Sequence, residues 1–222
     1  GFGLPIARDM CQKVIVVASN DLQSLYVANN VCSDVSSCAM WFYGNASVDI
    51  QGMQSIGNVV TKKGSAWTGV AGFSAEQNTS LRLANADISG NATPDTEIVG
   101  LRASFADNNG ALPPVAASPL PPTGNSVLIE NSTISDNTAG SGFTVYIMTP
   151  GAYTFRNTTI AQNAAVAGCG GGITMQSYSP FSGANALQLR VQNSTIARNN
   201  AQCQTAIGLG GWDGAQSVAG SG

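Results

Sequence analysis

Apolar and polar positions alternate with period two in short runs along residues 80–211, and the runs end at asparagine. The motif Asn-x-x-Ile-x-x-Asn occurs four times, at 85–91, 131–137, 157–163 and 193–199. Two residues before the first Asn stand Leu83, Ile129, Phe155 and Val191, and four before it Leu81, Val127, Tyr153 and Leu189. The residue directly before it is Ala84, Glu130, Arg156 or Gln192. Each copy therefore predicts a strand with one apolar face and one mostly polar face. A bend follows at the Asn, which tolerates the left-handed conformation. A second short strand buries the Ile. A Gly-rich turn then leads to a third strand, carrying Phe143, Val145 and Ile147, then Ile173 and Met175, then Ile207 and Leu209.

The first asparagines are 46, 26 and 36 residues apart, so insertions fall in loops on a scaffold that tolerates them. Strand, corner, strand, turn, strand is one rung of a parallel β-helix, which buries its apolar face only when rungs stack. An antiparallel sandwich also has short strands, but it does not need the same corner four times. The expected fold is all-β, a β-helical solenoid with long loop insertions, as one domain over 1–222. Residues 48–211 are its rungs, with a degenerate first rung from Val48 to Asn58. Residues 1–47 form an N-terminal cap and diverged start, 110–124 a Pro-rich loop, and 212–222 a flexible tail.

Phe155-Arg-Asn-Thr-Thr-Ile160-Ala-Gln-Asn163, followed by Cys169-Gly-Gly-Gly-Ile173, resembles the rungs of the right-handed, pectate-lyase-like β-helix superfamily. It is also similar to the FxxN and GGxI repeats of bacterial polymorphic outer-membrane adhesins. The resemblance covers residues 80–211. It implies a right-handed solenoid, and it implies little about function, because this fold carries lyases, hydrolases, adhesins and inert stalks. The Pro-rich stretch from Gly110 to Gly124 is similar to the short glycomodules of hydroxyproline-rich wall proteins.

Composition narrows the chemistry. Only 9% of residues are charged and the net charge is -3, which argues against a nucleic-acid partner. The sequence has no His, so a His-based triad and a His metal site are excluded. No apolar run is long enough for a membrane-spanning helix. Gly at position 1 without a signal-like stretch reads as a mature or excised fragment. Asp87 and Asp136 do not pair with another carboxylate at equivalent rung positions, so no acid/base couple is assembled. No catalytic residue, cofactor or metal site is expected. Trp41, Phe42, Tyr43, Trp67 and Trp212 could stack on sugar rings or pack at loop–rung junctions.

The five cysteines read as structural disulfides. Cys169 and Cys203 each stand four residues before an inward Ile, which places them at one point on successive rungs and predicts a bond between them. Two of Cys11, Cys32 and Cys38 should pair. Sequons make Asn45, Asn78, Asn131, Asn157 and Asn193 candidates for N-glycosylation. Asn85, Asn131, Asn157 and Asn193 could instead stack inward as a ladder, and one Asn cannot do both. The functional expectation is a non-enzymatic, extracellular structural glycoprotein module of a cell-surface, wall or filament protein. Its partners would be other subunits or further domains of the same parent chain, and covalent glycans. The alternatives are a pectate-lyase-like polysaccharide lyase or hydrolase, and a glycan-binding adhesin.

Overall fold

The computed structural model describes residues 14–16, 19–23, 25–29, 31–33, 40–42, 47–61, 73–76, 80–93, 98–104, 125–140, 143–147, 151–178 and 187–212. Its strands form four sheets, and every pairing between them is parallel. The chain visits the four sheets in rotation, so each turn lays one strand on each sheet beside the strand of the turn before. Ser47–Gln51, Ser80–Ala84, Asn125–Glu130, Gly151–Arg156 and Leu187–Gln192 lie side by side in one sheet. Gln54–Ile56, Asp87–Ser89, Thr133–Ser135, Thr159–Ala161 and Thr195–Ala197 do so in the next.

The register explains the alternation. Val48, Leu81, Val127, Tyr153 and Leu189 share one column, and Ile50, Leu83, Ile129, Phe155 and Val191 another. Ile88, Ile134, Ile160 and Ile196 form a third column in the neighbouring sheet. These columns converge on one apolar core, in which Ile50, Leu83, Ile88, Ile129, Ile134, Tyr153, Phe155 and Ile160 are fully buried. Removing one such side chain to Ala costs about 2–5 kcal/mol, through lost transfer energy and the cavity left behind.

Each turn bends twice through the left-handed region. Asn85, Asn131, Asn157 and Asn193 have φ of 47–55° at the first bend, where Gly52 (φ 70°) also stands. Gly57, Gly90, Asp136, Gln162 and Arg198 have φ of 56–64° at the second. Asn and Gly carry the first bend at low steric cost. The second bend puts Asp, Gln and Arg into the same conformation, so it must be held by contacts of the neighbouring residue.

That neighbour is a buried asparagine. Asn58, Asn91, Asn137, Asn163 and Asn199 each sit directly after the second bend, and all are buried. From Asn58 to Asn163, the backbone N–H and the side-chain Nδ2 of each residue donate to Oδ1 of the Asn one turn on, at 2.9–3.1 Å. The amide also donates to a backbone carbonyl of the turn before: Asn137 to Ile88, Asn163 to Ile134 and Asn199 to Ile160.

This corrects the expected ladder. Asn85, Asn131, Asn157 and Asn193 are exposed at the first bend, and the inward ladder belongs to the second Asn of the motif. A left-handed corner turns its own side chain outward, and the residue after the next corner faces in. Trp212 also differs from expectation. It ends the strand Ile207–Trp212, in register with Tyr178, rather than opening a tail. The Pro-rich loop, Trp67 and residues 213–222 lie outside the described residues.

The two asparagine classes should separate by stability. Asn137→Ala removes one acceptor and two donated bonds in a buried site, where each unsatisfied partner costs about 1–3 kcal/mol. Asn131→Gly, at an exposed left-handed corner, should be close to neutral. Urea denaturation midpoints should therefore fall markedly for Asn137→Ala and hardly for Asn131→Gly. Equal falls would contradict the assignment of the ladder.

Candidate functional site

The outer face of the first sheet carries a run of ion pairs across four consecutive turns. The Arg82 guanidinium donates to both oxygens of Asp49, at 2.9 and 2.8 Å. Its Nε donates to Glu130 Oε1 at 2.7 Å, and Nη2 lies 2.6 Å from the same oxygen. Arg156 donates to Glu130 Oε2. Parallel pairing sets Glu130 opposite Arg156 and Asp49 opposite Arg82, so strand register places all four groups. Glu130 is 7% exposed, and its flanking arginines supply hydrogen bonds to both of its oxygens.

These contacts fix the chemistry. The hydrogen bond from Arg156, and then that from Arg82, hold the Glu130 carboxyl below its ordinary range against the opposing effect of burial. The hydrogen bonds that Arg82 donates to Asp49 and Glu130 raise its pKa further above its already high value. A carboxylate held ionised between two arginines is a poor proton donor. Each arginine already has a carboxylate partner. The run is suited to clamping successive turns in register rather than to proton transfer.

Cys169 and Cys203 lie off the sheets, in the bends that precede the strands Gly170–Tyr178 and Ile207–Trp212. Cys169 and Cys203 are disulfide-bonded, with Cα atoms 4.5 Å apart on adjacent turns. A bridge closing 34 residues stabilises by roughly 3–4 kcal/mol in the chain-entropy model. The Gly170–Gly172 run beside it is a requirement of close packing. A Cβ on Gly172 would overlap the Ala206 carbonyl, and one on Gly171 would lie 2.7 Å from Asn200 O. Cys32 lies in the strand Val31–Ser33, opposite Val60. Cys11 and Cys38 lie outside the described residues, as do Asn45 and Asn78. Asn131, Asn157 and Asn193 are exposed, and Asn157 Nδ2 donates to Asn131 Oδ1 at 3.1 Å. Among the described residues, no group of three or more His, Cys, Asp and Glu is placed to hold a metal ion.

Comparison with known proteins points to the other end of the chain. Residues 1–66 match the model of the NifH/frxC family, described as 4Fe-4S iron sulfur cluster binding proteins. The chlorophyllide reductase 35.5 kDa chains of Rhodobacter capsulatus and Cereibacter sphaeroides are each 86% identical to this chain over 35 residues. Those residues are 16% of this chain and 10% of each relative, so the chain spans about a tenth of the relatives' length. No solved structure matches the chain.

These findings overturn several expectations. The matching family is NifH/frxC, not the pectate-lyase-like superfamily or the outer-membrane adhesins. NifH/frxC proteins are α/β, whereas the fold class expected was an all-β, right-handed β-helical solenoid. The described strands share all-parallel sheets with that class and differ from it in having no described helix between strands. The relatives are chains of an enzyme, which corrects the non-enzymatic reading. The same finding corrects the extracellular, wall, filament, glycan-bearing and polysaccharide-processing readings, and the partners inferred from them. The physical reason is location: the clear repeat lies at 80–211, while the family signal lies at 1–66, where only the degenerate rung from Val48 to Asn58 resembles it.

One copy of residues 1–66 does not by itself supply all four thiolates of the cluster that the family description names. A [4Fe–4S] cluster takes four cysteine thiolates. Residues 1–66 hold three, Cys11, Cys32 and Cys38, and the chain's other two are bonded to each other. The sequence also contains no Gly-Lys pair, so these 222 residues hold no phosphate-cradling G-x-x-x-x-G-K-S/T loop.

The Glu130 contacts predict a pH dependence. Its folded pKa is depressed, so the stability it contributes is fully present above the unfolded value of about 4.3. That contribution is lost as pH falls through the lower folded value. Urea midpoints measured downward from pH 5 should fall less steeply for Glu130→Gln than for the wild type. Parallel profiles would contradict the role given to the two arginines.

Proposed function

We propose that this chain is a component of an enzyme system of the chlorophyllide reductase kind, acting through residues 1–66. The observation that carries the reading is the 86% identity over 35 residues to the 35.5 kDa chains of that reductase. Geometry supports it. The strands Val14–Val16, Ser19–Gln23, Tyr26–Ala28 and Val31–Ser33 are each the terminal strand of one of the four sheets. The matched segment thus forms one end of the stack. Tyr26 and Val31 at that end are 60% and 69% exposed, as Ile207 and Leu209 are in the last strand, at 42% and 55%. An exposed apolar patch beside terminal strands is suited to protein contact. In this reading the partners are the reductase's other chains, and residues 48–211 are the scaffold that presents the segment. The role is an enzyme-associated one, in electron-transfer machinery.

Competition for those other chains tests the proposal. The full chain should displace the 35.5 kDa reductase chain from its partners in a pull-down. The double variant Tyr26→Ala, Val31→Ser should weaken displacement at least tenfold while leaving the urea midpoint little changed. A wild-type chain that displaces nothing at high excess would overturn the reading.

A further inference from the structure

Leu187–Gln192, Thr195–Ala197, Asn200–Ala201 and Ile207–Trp212 are each the terminal strand of one sheet, and together they make the last described turn of the stack. Register sets Leu189 opposite Tyr153, Val191 opposite Phe155, Ile196 opposite Ile160, Ile207 opposite Ile173 and Leu209 opposite Met175. Tyr153, Phe155 and Ile160 are fully buried, and Ile173 and Met175 nearly so. Their counterparts Val191, Ile207 and Leu209 are 36%, 42% and 55% exposed. The inward columns therefore lose much of their burial at this turn, and with it much of their hydrophobic stabilisation. The turn is tied to its neighbour by hydrogen bonds such as Thr195 N–H to Thr158 O, Asn200 N–H to Asn163 O and Gln204 N–H to Cys169 O, at 2.8–2.9 Å. Asn163 also donates to Asn199 Oδ1. One covalent bond is added to these, between Cys169 and Cys203. Cys203 is exposed and Cys169 half-buried.

We propose that the Cys169–Cys203 disulfide is a redox latch for the last described turn. With the bond closed, residues 187–212 stay docked on the stack; with it reduced, they open as a unit while the inner turns stay folded. The weakest-buried unit of a structure opens first, below the free energy of global unfolding. Opening this turn must carry Cys203 away from Cys169, and the crosslink removes most of the freedom that an open segment gains. An external dithiol supplies the reducing chemistry. One thiolate of the dithiol attacks the exposed Sγ of Cys203, and Cys169 leaves as a thiolate that takes a proton from water. The second thiol of the reagent attacks the mixed disulfide and releases Cys203. Two electrons and two protons pass to the protein, and the dithiol becomes a disulfide. The proposal does not rest on the reductase association.

Amide hydrogen exchange on the full chain, with and without dithiothreitol, tests it, and thiol alkylation with peptide mass mapping reports the state of the bond. Dithiothreitol should reduce Cys169–Cys203 without denaturant. Exchange at Thr195, Asn200 and Gln204 should then accelerate by about tenfold or more, while Asp87 and Thr133 stay slow. The double variant Cys169→Ser, Cys203→Ser should exchange like the reduced wild type and show no response to dithiothreitol at these amides, which separates this bond from any other thiol in the chain. A bond that resists dithiothreitol until the chain is unfolded would overturn the proposal. So would unchanged exchange across residues 187–212 after reduction, or an equal acceleration in every turn.

Discussion

The fold depends on one repeated interaction: a buried asparagine whose backbone N–H and side-chain amide both donate to the carbonyl oxygen of its counterpart one turn on. Burying an amide without partners costs several kcal/mol on an apolar scale, so each rung of the ladder is close to all-or-none. The ladder also pins a bend at which Asp136, Gln162 and Arg198 adopt a left-handed conformation that such residues otherwise avoid. Once that bend is fixed, the strands on either side are held in register. The isoleucine and leucine–valine columns then align without choice.

Everything else described is fitted to that register. The ion pairs from Asp49 to Arg156 join positions that parallel pairing has already made neighbours. Arg82 and Arg156 are themselves 37% and 46% exposed, so the run fine-tunes the stack rather than creating it. The disulfide between Cys169 and Cys203 joins adjacent turns where the glycine run lets two backbones approach.

Much of the strand stacking was legible in the sequence. Alternation before each first Asn, and the isoleucine between the two asparagines, identify the inward columns without any coordinates. The ladder was harder to read, because two asparagines recur at a fixed spacing and the pattern alone does not say which faces in. The signal was the residue before the second Asn. Gly90, Asp136, Gln162 and Arg198 share no side-chain chemistry, which fits a position defined by backbone bend alone. The match of residues 1–66 to the NifH/frxC family model was not legible in this way. It resides in the identity of residues, not in periodicity, and periodicity at 1–47 is nearly absent. Where that segment enters the stack, Asn29 and its neighbours supply one bend and two short strands, too little to stand out as a repeat.

The central claim is that the described strands from Val14 to Trp212, including those within residues 1–66, form one stack. Residue-resolved amide hydrogen exchange on the intact chain tests it most directly. The account predicts slow exchange at Asn29 and Gln54, whose N–H groups bond between turns, in the same range as Asp87, Thr133 and Thr159. Fast exchange at Asn29 and Gln54, with slow exchange confined to residues 80–165, would show that the segment stands apart from the stack and would contradict the account.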